Sequence, residues 1–231
     1  MIPKKIHYVW VGGGAKSDAI KRCMATWKKH LKDYEIIEWN EQNFDINSNP
    51  FVKAAYEAKK WAYVSDYIRA KVIYEHGGIY LDTDVLILDN FDAFLEHRAF
   101  VGFENPDFPF TAVFGAEKGH PFVKEMLDYY DKLDCYSFDF KNNNTISVSD
   151  ILINKYNCKT GNEFQIIDEG IAVYPDNILC NPSKESVSIH VFTGTWLDDK
   201  KPLARKVNTF LKLRVTSRPK AALFRKYIMH K

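Results

Sequence analysis

No run of apolar residues in this chain approaches the roughly 20 needed to cross a bilayer, so no membrane-spanning helix is expected. The N-terminal Met1 to His7 leads straight into a strand-like segment without a long apolar h-region, so no signal peptide is expected either. Cysteine is scarce and scattered. Cys23, Cys135, Cys158 and Cys180 form no C-x-x-C pair, which argues against a zinc site and against a disulfide framework. Reduced thiols in a cytoplasmic setting are the simplest account. The formal net charge is only +2 and no nucleic-acid recognition motif accompanies the basic residues, so nucleic acid is not an expected partner. The glycine turn Gly12-Gly13-Gly14 lacks both the Rossmann spacing and the P-loop Lys-Ser/Thr. There is no internal repeat. What is present is ordinary for a soluble domain: 231 residues, 46% hydrophobic and 27% charged, enough for one α/β core with room for a small second lobe. The aromatic share of 15% suits a site that stacks on bases or sugars, although most such rings belong to cores.

The most informative stretch runs from Trp61 to Val85. Ala62 to Glu75 has no Gly or Pro, and Val64, Ile68 and Val72 recur at helical spacing. Asp66 and Arg69 are three apart and share one helix face, as functional groups or as a plain surface ion pair. Gly77-Gly78 ends the helix, because glycine tolerates a left-handed cap. Ile79 to Leu88 predicts one strand, with Tyr80, Asp82 and Asp84 on one face and Ile79, Leu81, Thr83 and Val85 on the other. Two carboxylates side by side repel each other. A divalent cation removes the repulsion, and oxygen ligands suit Mg²⁺ or Mn²⁺. An Asp-x-Asp triplet can equally be two solvated loop acids. The apolar flanks weigh towards a metal, because unpaired charge is costly there.

Ser65-Asp66, Arg69, Gly77-Gly78, Tyr80, Asp82 and Asp84 together resemble the sugar-binding region of glycosyltransferases with a DXD motif. The nearest pattern is glycosyltransferase family 32, which includes capsular polysaccharide and mannosyl transferases; the glucosylating bacterial toxins share it. The resemblance implies a GT-A type α/β fold over residues 1–199, with a mainly parallel sheet flanked by helices. It implies a nucleotide-sugar donor, UDP-linked or alternatively GDP-linked, and a Mn²⁺ or Mg²⁺ cofactor. The acceptor would be a glycan or lipid-linked saccharide in polysaccharide synthesis, such as capsule assembly. By the same likeness Asp84 serves the cation and Asp82 lies near the ribose or the cation, Arg69 meets the diphosphate or sugar, Asp66 accepts from sugar hydroxyls, and Ser65, Tyr80 and Thr83 line the donor. The family retains anomeric configuration. No residue stands out as a nucleophile, so a front-face transfer is expected, with the leaving phosphate taking the acceptor proton.

Lys5 to Val11 reads as a first strand. Ile6 to Gly13 is similar to the opening of the same families, where the strand-end aromatic stacks on the base. That places Trp10 there, with Val9 beside it and Asn40, at the end of the strand Tyr34 to Trp39, nearby. Helices are expected over Asp18–His30, Phe51–Lys60, His120–Lys132 and Ser147–Tyr156, with Ser17 or Asp18 capping the first. Short strands are expected at 99–104, 112–116, 164–167 and 172–174. Glu104 could reach the sugar or merely add polarity to the rim. A lone His190 at a strand end packs as readily as it ligates. The segment His190 to Trp196 is similar to the C-terminal His-small-Trp closure of metal-dependent transferases of this fold. That likeness makes His190 a metal ligand and Trp196 a cover for the donor, although the toxin relatives use other ligands.

Residues 200–231 carry eleven Lys and Arg and no Asp or Glu, which leaves nine net negative charges on residues 1–199. Apolar residues recur through this basic tail at amphipathic spacing, interrupted near Pro219. The tail reads either as helices packed on the catalytic domain or as a peripheral anchor on an anionic membrane surface. Two rival functions stay open on sequence alone. One is a haloacid-dehalogenase-like phosphatase with Asp82 as nucleophile, although Asp198-Asp199 is a poor match for its later acidic pair. The other is a non-catalytic nucleotide-sugar binding module.

Overall fold

The structure is a computed structural model and describes residues 1–133, 143–194 and 203–229. The first half is β1 (Lys5–Val9), α1 (Asp18–His30), β2 (Glu35–Trp39), α2 (Pro50–Glu57), α3 (Trp61–His76), β3 (Gly78–Leu81) and β4 (Val85–Ile87). There follow β5 (Ala99–Gly102), β6 (Val113–Ala116), α4 (Pro121–Asp131), α5 (Asn144–Tyr156), β7 (Gln165–Ile167), β8 (Ile171–Tyr174), the single turn α6 (Asp176–Leu179) and β9 (Ser188–His190). Two C-terminal helices, α7 (Leu203–Lys212) and α8 (Arg218–Phe224), complete the described chain.

Seven strands form one sheet in the order β2-β1-β3-β6-β5-β8-β7, and β4 pairs with β9 in a separate ribbon. Five of the seven strands run one way, and β6 and β7 oppose them. The period-2 alternation of strand side chains sorts the core into two layers. Val9, Tyr80, Val101 and Val173 face one way and pack with α2, α3, α4 and α5. Tyr8, Ile79, Leu81, Phe100 and Ala172 face the other way and pack with Trp27 of α1, Phe91 and Phe94. Helices therefore cover both faces, and α3 crosses directly above β1 and β3.

The expected starts of α1 and α4 hold, while the helix expected to reach Lys60 ends at Glu57. Ser17 caps α1 by accepting from the Ile20 amide at 3.4 Å, and His120 caps α4 by accepting from the Phe122 amide. At the end of α3, Gly77 and Gly78 have φ of +65° and +117°. A Cβ at Gly77 would sit 2.8 Å from the Lys118 backbone nitrogen, and one at Gly78 would sit 2.8 Å from the Lys5 carbonyl. Both conformation and space therefore require glycine where the helix turns into β3.

The single strand expected over Ile79–Leu88 is a misreading that the structure corrects. β3 stops at Leu81, the chain turns at Asp82-Thr83-Asp84, and the Val85 amide closes that turn on the Asp82 carbonyl at 3.1 Å. β4 then leaves the main sheet to pair with β9, matching Val85 to His190. Two adjacent carboxylates find different partners in a turn, whereas a straight strand would hold them side by side. A second correction concerns α5, which begins at Asn144, capped by Asn143, and not at Ser147.

The basic tail packs on the domain with one face. Val215, Ala221 and Phe224 are buried with Cys23, Leu86, Leu88, Ile189 and Val191, with Leu211 and Leu213 packed alongside. Arg218 pairs with Asp89 at 3.0 Å. The other face is uncovered: Leu203, Val207 and Phe210 of α7 are exposed, as are Leu223, Tyr227, Ile228 and Met229. Among the described residues no helix is long and apolar enough to cross a membrane.

Candidate active site

The site forms where α3, the turn after β3 and the end of β9 converge. On α3, the i,i+3 spacing sets Asp66 and Arg69 on one face, and that face is buried against the sheet. One Arg69 nitrogen lies 2.8 Å from Asp66 and 3.1 Å from Asp82. The guanidinium sits over the Tyr80 ring at 4.6 Å, and the Ser65 hydroxyl accepts from it at 3.1 Å. This is a buried cluster, not the solvated helix pair that spacing alone allows. Burial pushes the Asp66 carboxyl up to about 6, with Arg69 and an amide bond from Asn144 pulling the other way.

The second arm is the turn. Asp84 is buried and accepts from the Thr193 amide at 2.7 Å and the Thr193 hydroxyl at 2.8 Å. His190 Nε2 lies 3.3 Å from its other oxygen. Burial alone would raise the Asp84 pKa, but the His190 charge and the bonds from His190 and Thr193 outweigh it and hold the carboxyl well below the usual range. Phe192, at φ +60°, bends the chain after β9 so that Thr193 turns back onto Asp84, and its ring lies 3.8 Å from the His190 ring.

One ligand atom each from Asp82, Asp84 and His190 fall within 4.8 Å of one another. Two carboxylates and an imidazole form a hard, oxygen-rich donor set that fits Mn²⁺ or Mg²⁺. The residues present thus suit the cation that a DXD site implies.

The residues expected at the base end lie at the end of β1 and after β2, with contacts of their own. Val9 is buried in the core. Trp10 is half-buried, donates its indole N–H to the Gly14 carbonyl at 2.7 Å and carries the Lys16 ammonium 5.0 Å above its ring. Gly12 lies against Trp61, where a Cβ would come within 2.6 Å of the indole. Asn40 uses its amide on its own loop, accepting from the Gln42 amide at 2.9 Å and reaching Glu38 at 3.2 Å. Thr83 is half-buried in the turn. Trp196 lies outside the described residues.

Sequence reasoning missed three groups here. Asn144, at the start of α5, donates to Asp66 at 3.0 Å from a distant part of the chain. Thr193 grips Asp84. Lys212, at the end of α7, is only 3% exposed and donates to the His190 carbonyl at 2.8 Å. Asn144 carried a signal only as part of an asparagine run that reads as a loop. Lys212 carried none, since one lysine in a basic tail looks like all the others. Glu104, left open between sugar contact and rim, is raised above the usual carboxylate range by burial.

Residues 17–101 match the glycosyltransferase sugar-binding region containing DXD motif. The match takes in α1, α3, β3 and the Asp82–Asp84 turn, and stops before β9. Inositol phosphoceramide mannosyltransferase 3 of Schizosaccharomyces pombe is 28% identical over 130 residues, 54% of this chain. That alignment spans only 36% of the relative's own length. Among solved structures, PaToxG Glycosyltransferase superposes with a TM-score of 0.50 at 19% identity, covering 67% of this chain and 70% of that one. The fold around the matched residues is thus the GT-A type α/β fold.

Proposed function

We propose that this chain is a metal-dependent, retaining glycosyltransferase that takes a sugar from a nucleoside-diphosphate donor to a glycan or lipid-linked saccharide. The observation that carries the reading is the convergence of Asp82, Asp84 and His190 within 4.8 Å beside the buried Asp66–Arg69 pair. A Mn²⁺ or Mg²⁺ held by these three residues would neutralise charge on the leaving diphosphate. Arg69, planar and permanently charged, presents nitrogens to diphosphate or sugar oxygens. Asp66, fixed by Arg69 and Asn144, is positioned to accept from sugar hydroxyls. Ser65 and Tyr80, which contact Arg69, and Thr83 of the turn would line the donor, and Trp10 with Val9 and Asn40 would hold its base end. The mannosyltransferase relative supports mannose as one candidate sugar and a lipid-borne acceptor as one candidate class. Transfer with retention by a front-face route, and a place in polysaccharide synthesis, belong to the same reading.

The test is a thermal-shift and hydrolysis screen of UDP- and GDP-sugars with and without Mn²⁺. One donor should raise the melting temperature by roughly 5–10 °C at a hundredfold excess over its dissociation constant, and only with metal. Trp10→Ala should weaken that donor by about 1–3 kcal/mol, the scale of base stacking. No shift with any donor would overturn the reading. Tight binding without hydrolysis or transfer would favour a binding module instead.

The exposed face of the C-terminal helices extends the proposal to location. Leu203, Val207 and Phe210 follow i, i+4, i+7 spacing on α7, and the tail around them is uniformly basic. An anionic lipid surface matches both features, and each Lys or Arg near it contributes about 1 kcal/mol. The catalytic domain would then sit as a peripheral protein on the cytoplasmic face of a membrane, close to lipid-linked acceptors. Truncating the tail would uncover Leu86, Ile189 and Val191, so point variants are the better test. The full chain should co-sediment with anionic vesicles in low salt, and a Leu203→Ser, Val207→Ser, Phe210→Ser variant should not. Equal sedimentation of both would exclude this face as the anchor.

A further inference from the structure

Lys212 is the least expected charged group in the protein. It is 3% exposed, although it belongs to a helix whose neighbouring side chains Val207 and Phe210 are open to solvent. Its ammonium donates to the His190 carbonyl at 2.8 Å and lies 4.5 Å above the Phe192 ring. Among the described residues no carboxylate comes within ion-pair distance of it; burial disfavours its charged form, and Asp84, Glu104 and Asp176 oppose that only from further away. An ammonium has three donors. One is used by the carbonyl, and a buried cation without a close counter-charge is costly. With a divalent cation on Asp82, Asp84 and His190, Lys212 would be a second positive centre, hydrogen-bonded to the backbone of one of the metal ligands. An anion lying across two such cations relieves their repulsion.

We propose that Lys212 is a donor-binding residue that contacts the diphosphate of the nucleotide sugar, delivered to the site by docking of the C-terminal helices. The proposal rests on the nucleotide-sugar reading above and names a contact that reading does not contain. It gives the packing of Leu211, Leu213, Val215 and Phe224 on the domain a functional consequence. Those contacts set the end of α7 against β9, so the part of the tail that seats on the domain also completes the anion site. The uncovered face of α7 stays free for other contacts.

The experiment measures UDP and GDP binding by calorimetry with saturating Mn²⁺, and Mn²⁺ binding alone by electron paramagnetic resonance. It uses the full chain, Lys212→Met and Lys212→Arg. Lys212→Met should weaken the nucleoside diphosphate that binds wild type by roughly 10- to 100-fold, the range for a lost hydrogen bond to a charged group. Its Mn²⁺ affinity should be unchanged or tighter, because a like charge has been removed. Lys212→Arg should recover most of the diphosphate affinity. A purely structural lysine that merely seats His190 would weaken Mn²⁺ binding together with the nucleotide, and that result overturns the proposal. So does a Met variant that binds the diphosphate as wild type does. If wild type binds neither UDP nor GDP, the donor reading itself falls, and this proposal with it. Should Lys212→Met fail to fold, Lys212→Gln replaces it, since its amide still donates to the His190 carbonyl while the charge is gone.

Discussion

Replacing Asp84 with Asn is expected to reduce donor hydrolysis and transfer more than about a hundredfold while the protein stays folded. The carboxylate loses its charge, so the cation proposed there would lose one of its three ligands and the several kcal/mol of charge stabilisation it would supply. Asparagine keeps an oxygen that can accept from Thr193, so the turn holds. Alanine is the poorer choice, because it removes the buried acceptor that both the Thr193 amide and hydroxyl bond, at about 1–3 kcal/mol each. The measurements are the hydrolysis rate, the Mn²⁺ affinity by electron paramagnetic resonance, and circular dichroism. Full activity of Asp84→Asn in the presence of EDTA would sink the metal assignment.

Arg69→Met should be the most destabilising single change in the site. It removes the cation that lies 2.8 Å from Asp66 and 3.1 Å from Asp82 and leaves a deeply buried carboxylate without its charge partner. Breaking a buried pair in this way costs about 3–5 kcal/mol. Arg69→Lys should recover part of this loss, since a lysine keeps the charge but cannot fork between two carboxylates and Ser65. Urea denaturation reads the effect as a lower midpoint at unchanged slope. A loss below about 1 kcal/mol, the value typical of exposed pairs, would mean that Arg69 is effectively solvated. In Asp66→Asn, Arg69→Met the penalty should shrink, because one of the stranded charges is gone.

Local sequence determined a good deal of this. The spacing of Val64, Ile68 and Val72 made α3 a helix, and the same 3.6-residue period set Asp66 and Arg69 on one face. Ser17 and His120-Pro121 marked helix starts, and Gly77-Gly78 marked a helix stop. The Asp82–Asp84 triplet was legible as a metal motif, and its place beside α3 followed from chain continuity. These features depend on backbone geometry over a few contiguous residues, which a sequence displays directly. Tertiary structure decided the rest. Whether Asp66 and Arg69 were a solvated pair or a buried cluster turned on the packing of α3 over β3, which removes water from both. The break of the expected strand at Asp82 turned on β4 finding its partner in β9, more than a hundred residues later. That pairing brings His190 and Thr193 to Asp84, and the docking of α7 then brings Lys212 to His190. No local periodicity encodes such meetings. They arise when the burial of many apolar side chains closes long loops, and the polar groups at those closures take their roles from where the chain is brought together.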